Sequence, residues 1–207
     1  WLIQFFEKKY GMEQSKKILK AFNTVPDTCI RVNTLKITTD AIKKQLKLKN
    51  ISVEDIPYIQ EGLSIKTGAD TLFSEFLQTG LLYVQTASSM IPAKVLGPDA
   101  GDHVLDMCAA PGSKTTHIAA LMGNRGSIDA WDVYPHKVKL IKDNAKRLGI
   151  SIIHTEVRDS VKPLPFLYET YDKVLLDAPC SGLGVLGHKV ELRWRRKESD
   201  LSVFPPL

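Results

Sequence analysis

The chain has 207 residues, 43% hydrophobic and 25% charged, enough for one sizeable core or a small domain beside a larger one. No run of about 18 apolar residues occurs, which excludes a membrane-spanning helix, and charges at Glu7, Lys8, Lys9, Glu13, Lys16 and Lys17 argue against a signal peptide. Cys29, Cys108 and Cys180 stand far apart with no CxxC pair, so neither a disulfide framework nor a zinc site is indicated, and a reducing cytoplasm is expected. The net charge of +5 and pI near 9.0 tilt mildly toward polyanionic partners. Because it begins at Trp1 and stops at "FPPL", both ends are expected to be cuts through a longer protein.

Residues 1–22 read as amphipathic helix, with Leu2, Phe5 and Phe6 early, Ile18, Leu19 and Phe22 late, and Gly11 separating two helices. "TCIRVNTL" (28–35) alternates as a strand does. "TTDAIKKQLKLKN" (38–50) is predicted as a helix capped by Thr39 or Asp40, with Ile42 and Leu46 one turn apart. "LLYVQT" (81–86) is a further strand, and the whole makes a small α+β module over 25–84.

From about residue 102 the rhythm changes. "HVLDMC" (103–108) is a buried strand leading into "AAPGSKTTHIAALMG", a loop and a helix that Gly123 closes. "GSIDAWD" (126–132) is a second strand, and "PHKVKLIKDNAKRLG" (135–149) a helix with Val138, Ile141, Ala145 and Leu148 inward and Gly149 at its stop. "SIIHTEV" (151–157) and "YDKVLLDAP" (171–179) complete four strands. Strands alternating with helices imply an α/β, Rossmann-like doubly wound parallel sheet, whose ligands gather beyond the carboxyl ends of the strands. Asp106, Asp132, Asp159 and Asp177 all fall at or just after those ends.

The loop after the first of these strands discriminates between ligands. A dinucleotide fingerprint needs G-x-G-x-x-G, and a P-loop needs glycines where Cys108 and Ser113 stand, so both phosphate readings fail. Ala109, Ala110, Gly112 and Ser113 still let a ligand approach the backbone and a helix N-terminus closely. That suits a carboxylate and a ribose better than a pyrophosphate. Asp132 is placed to accept from two ribose hydroxyls and Asp159 from an exocyclic adenine amine, which together describe an S-adenosylmethionine site.

"VLDMCAAPGSKTTHIAALM", "DAPCSGLG" and "RWRRKESDL" closely resemble the Sun (Fmu) family of RNA cytosine-5 methyltransferases, nearest to its bacterial RsmB branch, which acts on small-subunit ribosomal RNA. "RVNTLK" (31–36) and "GLLYVQTASSM" (80–90) resemble that family's N-terminal module and its lead-in to the catalytic domain. The resemblance implies a division into residues 1–84, helices and a small RNA-binding module, and 85–207, part of a methyltransferase domain. It implies that the backbone of Cys108, Ala109, Ala110, Pro111, Gly112, Ser113 and Lys114 holds the cofactor, with Asp177 beside the methyl donor and the target base. Two departures stand out: Ser113 replaces the second glycine of "APGGKT", and Val190 stands where a proline is common.

Carbon 5 of cytosine is a poor nucleophile until a thiolate adds to carbon 6, and an acid near the ring nitrogen assists, for which Asp177 is the candidate. Enzymes of this resemblance place the nucleophile in a Thr-Cys motif on the next strand and use the Pro-Cys of "DAPCSG" for product release. Thr28-Cys29 is the only Thr-Cys dipeptide, and it precedes the nucleotide fold. Cys180 is therefore expected to assist, with the nucleophile outside these residues; a solitary nucleophilic Cys180 is the alternative. Cys108 and Cys29 are expected to be packing positions. "GHKVELRWRRK" (187–197) is basic around Trp194, so Arg193, Trp194, Arg195 and Arg196 are candidates for RNA contact. His117, His136 and His154 lack metal spacing. We expect a monomer acting on RNA without a metal or membrane. A catalytically silent RNA-binding protein, or a methyltransferase of another substrate class, is the rival reading.

Overall fold

Gly11 breaks the first element: α1 (Leu2–Phe22) passes through φ 73°, ψ 164° there, a conformation essentially reserved for glycine. Phe6 and Phe22 would stand roughly 24 Å apart on a straight helix at 1.5 Å per residue. Their ring centroids instead lie 6.0 Å apart, so the two halves fold back on each other. The computed structural model describes residues 1–24, 26–67, 71–162 and 165–202. It divides into two compact units, residues 1–26 with 178–207, and Asp27–Asp177.

In the second unit β1 (Thr28–Val32), α2 (Thr39–Leu48), β2 (Ser52–Ile56), β3 (Ile59–Thr67), α3 (Thr71–Gln78) and β4 (Leu82–Val84) follow one another as βαββαβ. Their antiparallel sheet has the order β2-β3-β1-β4, the ferredoxin-like split βαβ arrangement. The cap of α2 is Thr38, whose hydroxyl accepts from the Ala41 amide, and not the expected Thr39 or Asp40. Ile30, Val32, Ile42, Leu46, Leu63 and Leu82 fill the core beneath. Two strands here escape sequence reading. β2 is an exposed edge with no buried residue, and β3 is buried on both faces, so neither shows clean alternation.

After α4 (Ala87–Leu96), the parallel sheet comprises β5 (His103–Asp106), β6 (Ser127–Asp132), β7 (Ile153–Val157) and β8 (Lys173–Leu175), in the order β7-β6-β5-β8. The helices between are α5 (Ser113–Leu121) and α6 (Pro135–Leu148). The expected α/β sheet of parallel strands is present. β8 is shorter than the predicted 171–179, because only Lys173–Leu175 pair with β5 and the residues after them run on unpaired toward Asp177. The predicted inner stripe of α6 (Val138, Ile141, Ala145, Leu148) is buried as expected, and Gly149 ends the helix in the left-handed region at φ 76°. Because β6 lies on one side of β5 and β8 on the other, the order reverses there, opening a crevice at the carboxyl ends of these strands. A short helix α7 (Leu192–Arg195) belongs to the first unit. No helix among the described residues is long and apolar enough to cross a membrane.

Candidate functional site

The crevice is built on the loop between β5 and α5. Ala109 N–H donates to Trp131 O at 2.8 Å, Asn144 Nδ2 to Pro111 O at 2.9 Å, and Ser160 Oγ to Met107 O at 2.6 Å, tying the loop to β6, α6 and the segment after β7. Gly112 caps α5 in the left-handed region at φ 93°, where a Cβ would come 3.2 Å from Ile141 Cα. Only glycine lets the loop press this closely on α6. No side chain caps α5, so its first-turn amides face the crevice with their hydrogens available to an acceptor. Ser113 lies within α5 itself, where helical backbone accommodates a side chain; its departure from glycine is harmless.

The four strand-end acids separate by burial. Asp106 is 1% exposed and turned inward, its Oδ2 accepting from Thr115 Oγ1 at 2.7 Å. Burial pushes its pKa up to about 6, against the Thr115 hydroxyl, the Cys108 amide and Lys114. It braces α5 from below and is not available to a ligand. Asp132, also buried, ends β6 and accepts from the Tyr134 amide at 3.1 Å. Asp159, half-buried, accepts from the Val161 amide at 3.2 Å. Asp177 is exposed and bound through Oδ2 to Lys114 Nζ at 2.5 Å, so the first turn of α5 is joined to the residues after β8. Cys108 sits amid this ring. Burial, then Asp106, Asp132 and Asp177, push its thiol pKa up, which suits a packing residue and not a nucleophile.

The remaining predicted residues belong to the first unit. Cys180 is exposed, and the following carbonyl, Ser181 O, accepts from Arg196 Nε at 2.7 Å. Arg196 also pairs with Asp200 at 3.8 Å. Arg193 donates to Phe22 O, to Leu186 O at 3.2 Å and to Asn23 Oδ1 at 2.8 Å, fastening α7 to the end of α1. Trp194 is 78% exposed and Arg195 is exposed beside it. Among the described residues no group of three or more His, Cys, Asp or Glu gathers for a metal. Of the histidines, His117 is buried in α5 with Nε2 at 2.6 Å from Glu61 Oε1 on β3.

Sequence reading missed Thr115, Thr116, Ser160 and Arg31, whose side chains hold the loop and helix in place. The two threonines carried a usable signal, since a hydroxyl in the first turn of a helix can reach back to a preceding strand-end acid or carbonyl.

Residues 93–207 match the family model described as 16S rRNA methyltransferase RsmB/F, and residues 1–71 match the RsmF/B-like ferredoxin-like domain. The chain is 38% identical over 201 residues to the probable ribosomal RNA small subunit methyltransferase B of Bacillus subtilis, covering 97% of this chain and 45% of that protein. It is 46% identical over 164 residues to the ribosomal RNA small subunit methyltransferase F of Erwinia tasmaniensis, covering 76% of this chain and 34% of that protein. A crystal structure of a methyltransferase homolog protein from Pyrococcus horikoshii superposes with a TM-score of 0.80 at 34% identity, covering 94% of this chain and 61% of that one. The chain thus spans less than half the length of the curated relatives named here.

Proposed function

From the premise that this chain belongs to the RsmB/F family of 16S rRNA methyltransferases, we propose that it carries the cofactor site and part of the catalytic machinery of an enzyme methylating carbon 5 of a cytosine in small-subunit ribosomal RNA. The observation that carries this reading is the uncapped start of α5 at Gly112, facing carboxylates at the ends of the neighbouring strands.

These residues fit S-adenosylmethionine. The first-turn amides of α5 are donors for its carboxylate, Asp132 an acceptor for the ribose hydroxyls, and Asp159 an acceptor for the adenine amine. When bound, the cofactor supplies a methyl group on a cationic sulfonium. Lys114 holds one oxygen of Asp177, and the other, when protonated, gives its proton to the ring nitrogen as the thiolate adds to carbon 6. Cys180 follows Asp177 by three residues and assists release of the product, the step in which a base takes the proton from carbon 5 and the thiolate leaves carbon 6. By resemblance, the attacking thiolate belongs to a Thr-Cys motif that, after residue 29, these 207 residues do not contain. The target base must leave its stack for carbon 6 to be reached, and exposed Trp194 with Arg195 offers a stacking face and a phosphate contact.

An adduct gel on the full-length protein tests the assignment. With Cys180→Ala, a cofactor-dependent protein–RNA species should survive denaturing electrophoresis, because attack proceeds and release stalls. Loss of both adduct and product would make Cys180 the nucleophile, and full activity would leave it a packing residue.

A further inference from the structure

Arg31 lies on β1 in the middle of the antiparallel sheet, yet its guanidinium reaches out of that sheet to α5. It is 2% exposed. Nη1 donates to the Ser113 carbonyl at 2.6 Å and to Gln85 Oε1, Nη2 donates to Thr116 Oγ1 at 2.9 Å, and Cζ lies 5.0 Å from the Tyr83 ring centroid. Thr116 passes the contact on, its hydroxyl donating to the Gly112 carbonyl at 2.7 Å. One cation therefore grips two successive peptide units at the start of α5, the second directly and the first through Thr116.

A peptide unit is planar, so fixing its oxygen fixes the direction of the N–H on its opposite edge. The Gly112 oxygen shares its plane with the Ser113 amide, and the Ser113 oxygen with the Lys114 amide. These are the leading amides of the uncapped helix. Burial lowers the Arg31 pKa to about 10, so the side chain remains a cation at neutral pH. A buried cation is costly, and a sheet that needed only packing here would be served by an apolar side chain.

Two neighbours on the same stretch make the contrast. Asn33 Nδ2 donates to Gly80 O and Leu148 O, both at 2.8 Å, and Lys36 Nζ to Thr79 O at 2.9 Å and Arg147 O at 2.8 Å. They fasten the same sheet to the far end of α6, away from the loop. Adhesion between the layers thus has its own residues, and Arg31 alone of the three reaches the cofactor loop.

We propose that Arg31 is a positioning residue: through it the N-terminal sheet sets the direction of the Ser113 and Lys114 amides that receive the cofactor's carboxylate. The inference rests on the cofactor reading above. It gives the "RVNTLK" stretch a task in cofactor binding, separate from contact with RNA.

The test is calorimetric titration of the full chain with S-adenosylhomocysteine, beside melting temperature and amide hydrogen exchange. Arg31→Lys cannot span both acceptors, and Thr116→Val removes the hydroxyl that accepts from Arg31 and donates to Gly112, while leaving the Arg31 contact to Ser113 in place. Each should weaken binding about tenfold and speed exchange of the Thr116 amide, which donates to Gly112 O. Asn33→Ala should lower the melting temperature at least as much while leaving affinity within about twofold. Affinity that follows melting temperature across all three variants, or that survives Arg31→Lys unchanged, would overturn the proposal and leave Arg31 a structural strut. Should Arg31→Lys not fold, Thr116→Val decides alone by the same readouts. If the unsubstituted chain binds nothing, the cofactor reading fails and the inference goes with it; binding by the parent chain alone separates the two failures.

Discussion

Asp132 and Asp106 are both buried strand-end carboxylates, and their hydrogen bonds give them different work. Asp132 spends Oδ1 on the Tyr134 amide and faces the crevice. Asp132→Ala should weaken cofactor binding by about 1.5–3 kcal/mol, the worth of hydrogen bonds to a charged acceptor, and leave RNA affinity unchanged. Asp132→Asn keeps an acceptor for Tyr134, so an equal loss with Asn would assign the effect to the missing charge and not to a broken turn; calorimetry measures both. Asp106 is read through pH. Its carboxyl titrates near 6 in the folded chain against an ordinary 3.8. The folded state then holds a proton that the unfolded state has released, so stability falls as pH rises from about 4 to 6, by up to about 3 kcal/mol, and is flat above. Asp106→Asn keeps an acceptor for Thr115 and should abolish this slope in denaturant titrations across that window.

At the scale of elements, close approach matters more than propensity. The turn before β4 presses on the end of α6 so tightly that a Cβ on Gly80 would fall 2.1 Å from the Arg147 carbonyl oxygen, with φ 69° adding strain of its own. Gly80→Ala should therefore cost about 3–5 kcal/mol, measured as a lowered denaturant midpoint, by forcing apart the layers that Asn33 and Lys36 hold together. A cost under 1 kcal/mol would mean that the turn relaxes freely. The same closeness explains Gly112, where the neighbour is Ile141 on the inner stripe of α6. One helix thus supports both the loop between β5 and α5 and the attachment of the antiparallel sheet.

Across the whole molecule, the proposed function would give charge and aromatic surface two separable ways of holding RNA. On that reading, net charge +5 spread over the chain would give a general, salt-sensitive attraction, whereas exposed Trp194 would give stacking that salt barely touches. Trp194→Ala should weaken RNA binding by about 1–3 kcal/mol without changing the salt slope. Arg195→Ala should reduce the slope by about 0.7 if its contact is to a single-stranded phosphate. Filter binding at several salt concentrations distinguishes them, and a Trp194→Ala variant with unaltered affinity would remove that side chain from the RNA face. Arg193 and Arg196 are committed to Phe22, Asn23, Leu186 and Ser181, so their substitution should destabilise the fold of the first unit as well as any contact with RNA.

The parallel sheet, the inner stripe of α6 and the glycines at 112 and 149 were legible in the sequence because each depends on local periodicity or on backbone conformation that few residues tolerate. The strand-end acids were legible for the same reason, since a strand ends where its apolar run ends. Which of those acids stays outside was not, because burial is a property of what packs above: Thr115 draws Asp106 inward, and Lys114 holds Asp177 out at the crevice. β2 and β3 were hidden, one an exposed edge and the other covered on both sides, so that neighbours and not alternation defined them. Arg31 shows the limit most plainly. In sequence it is a charge in an alternating strand with no partner in view; only contacts made 82 and 85 residues away, with Ser113 and Thr116, turn it into a buried clamp on the start of a helix.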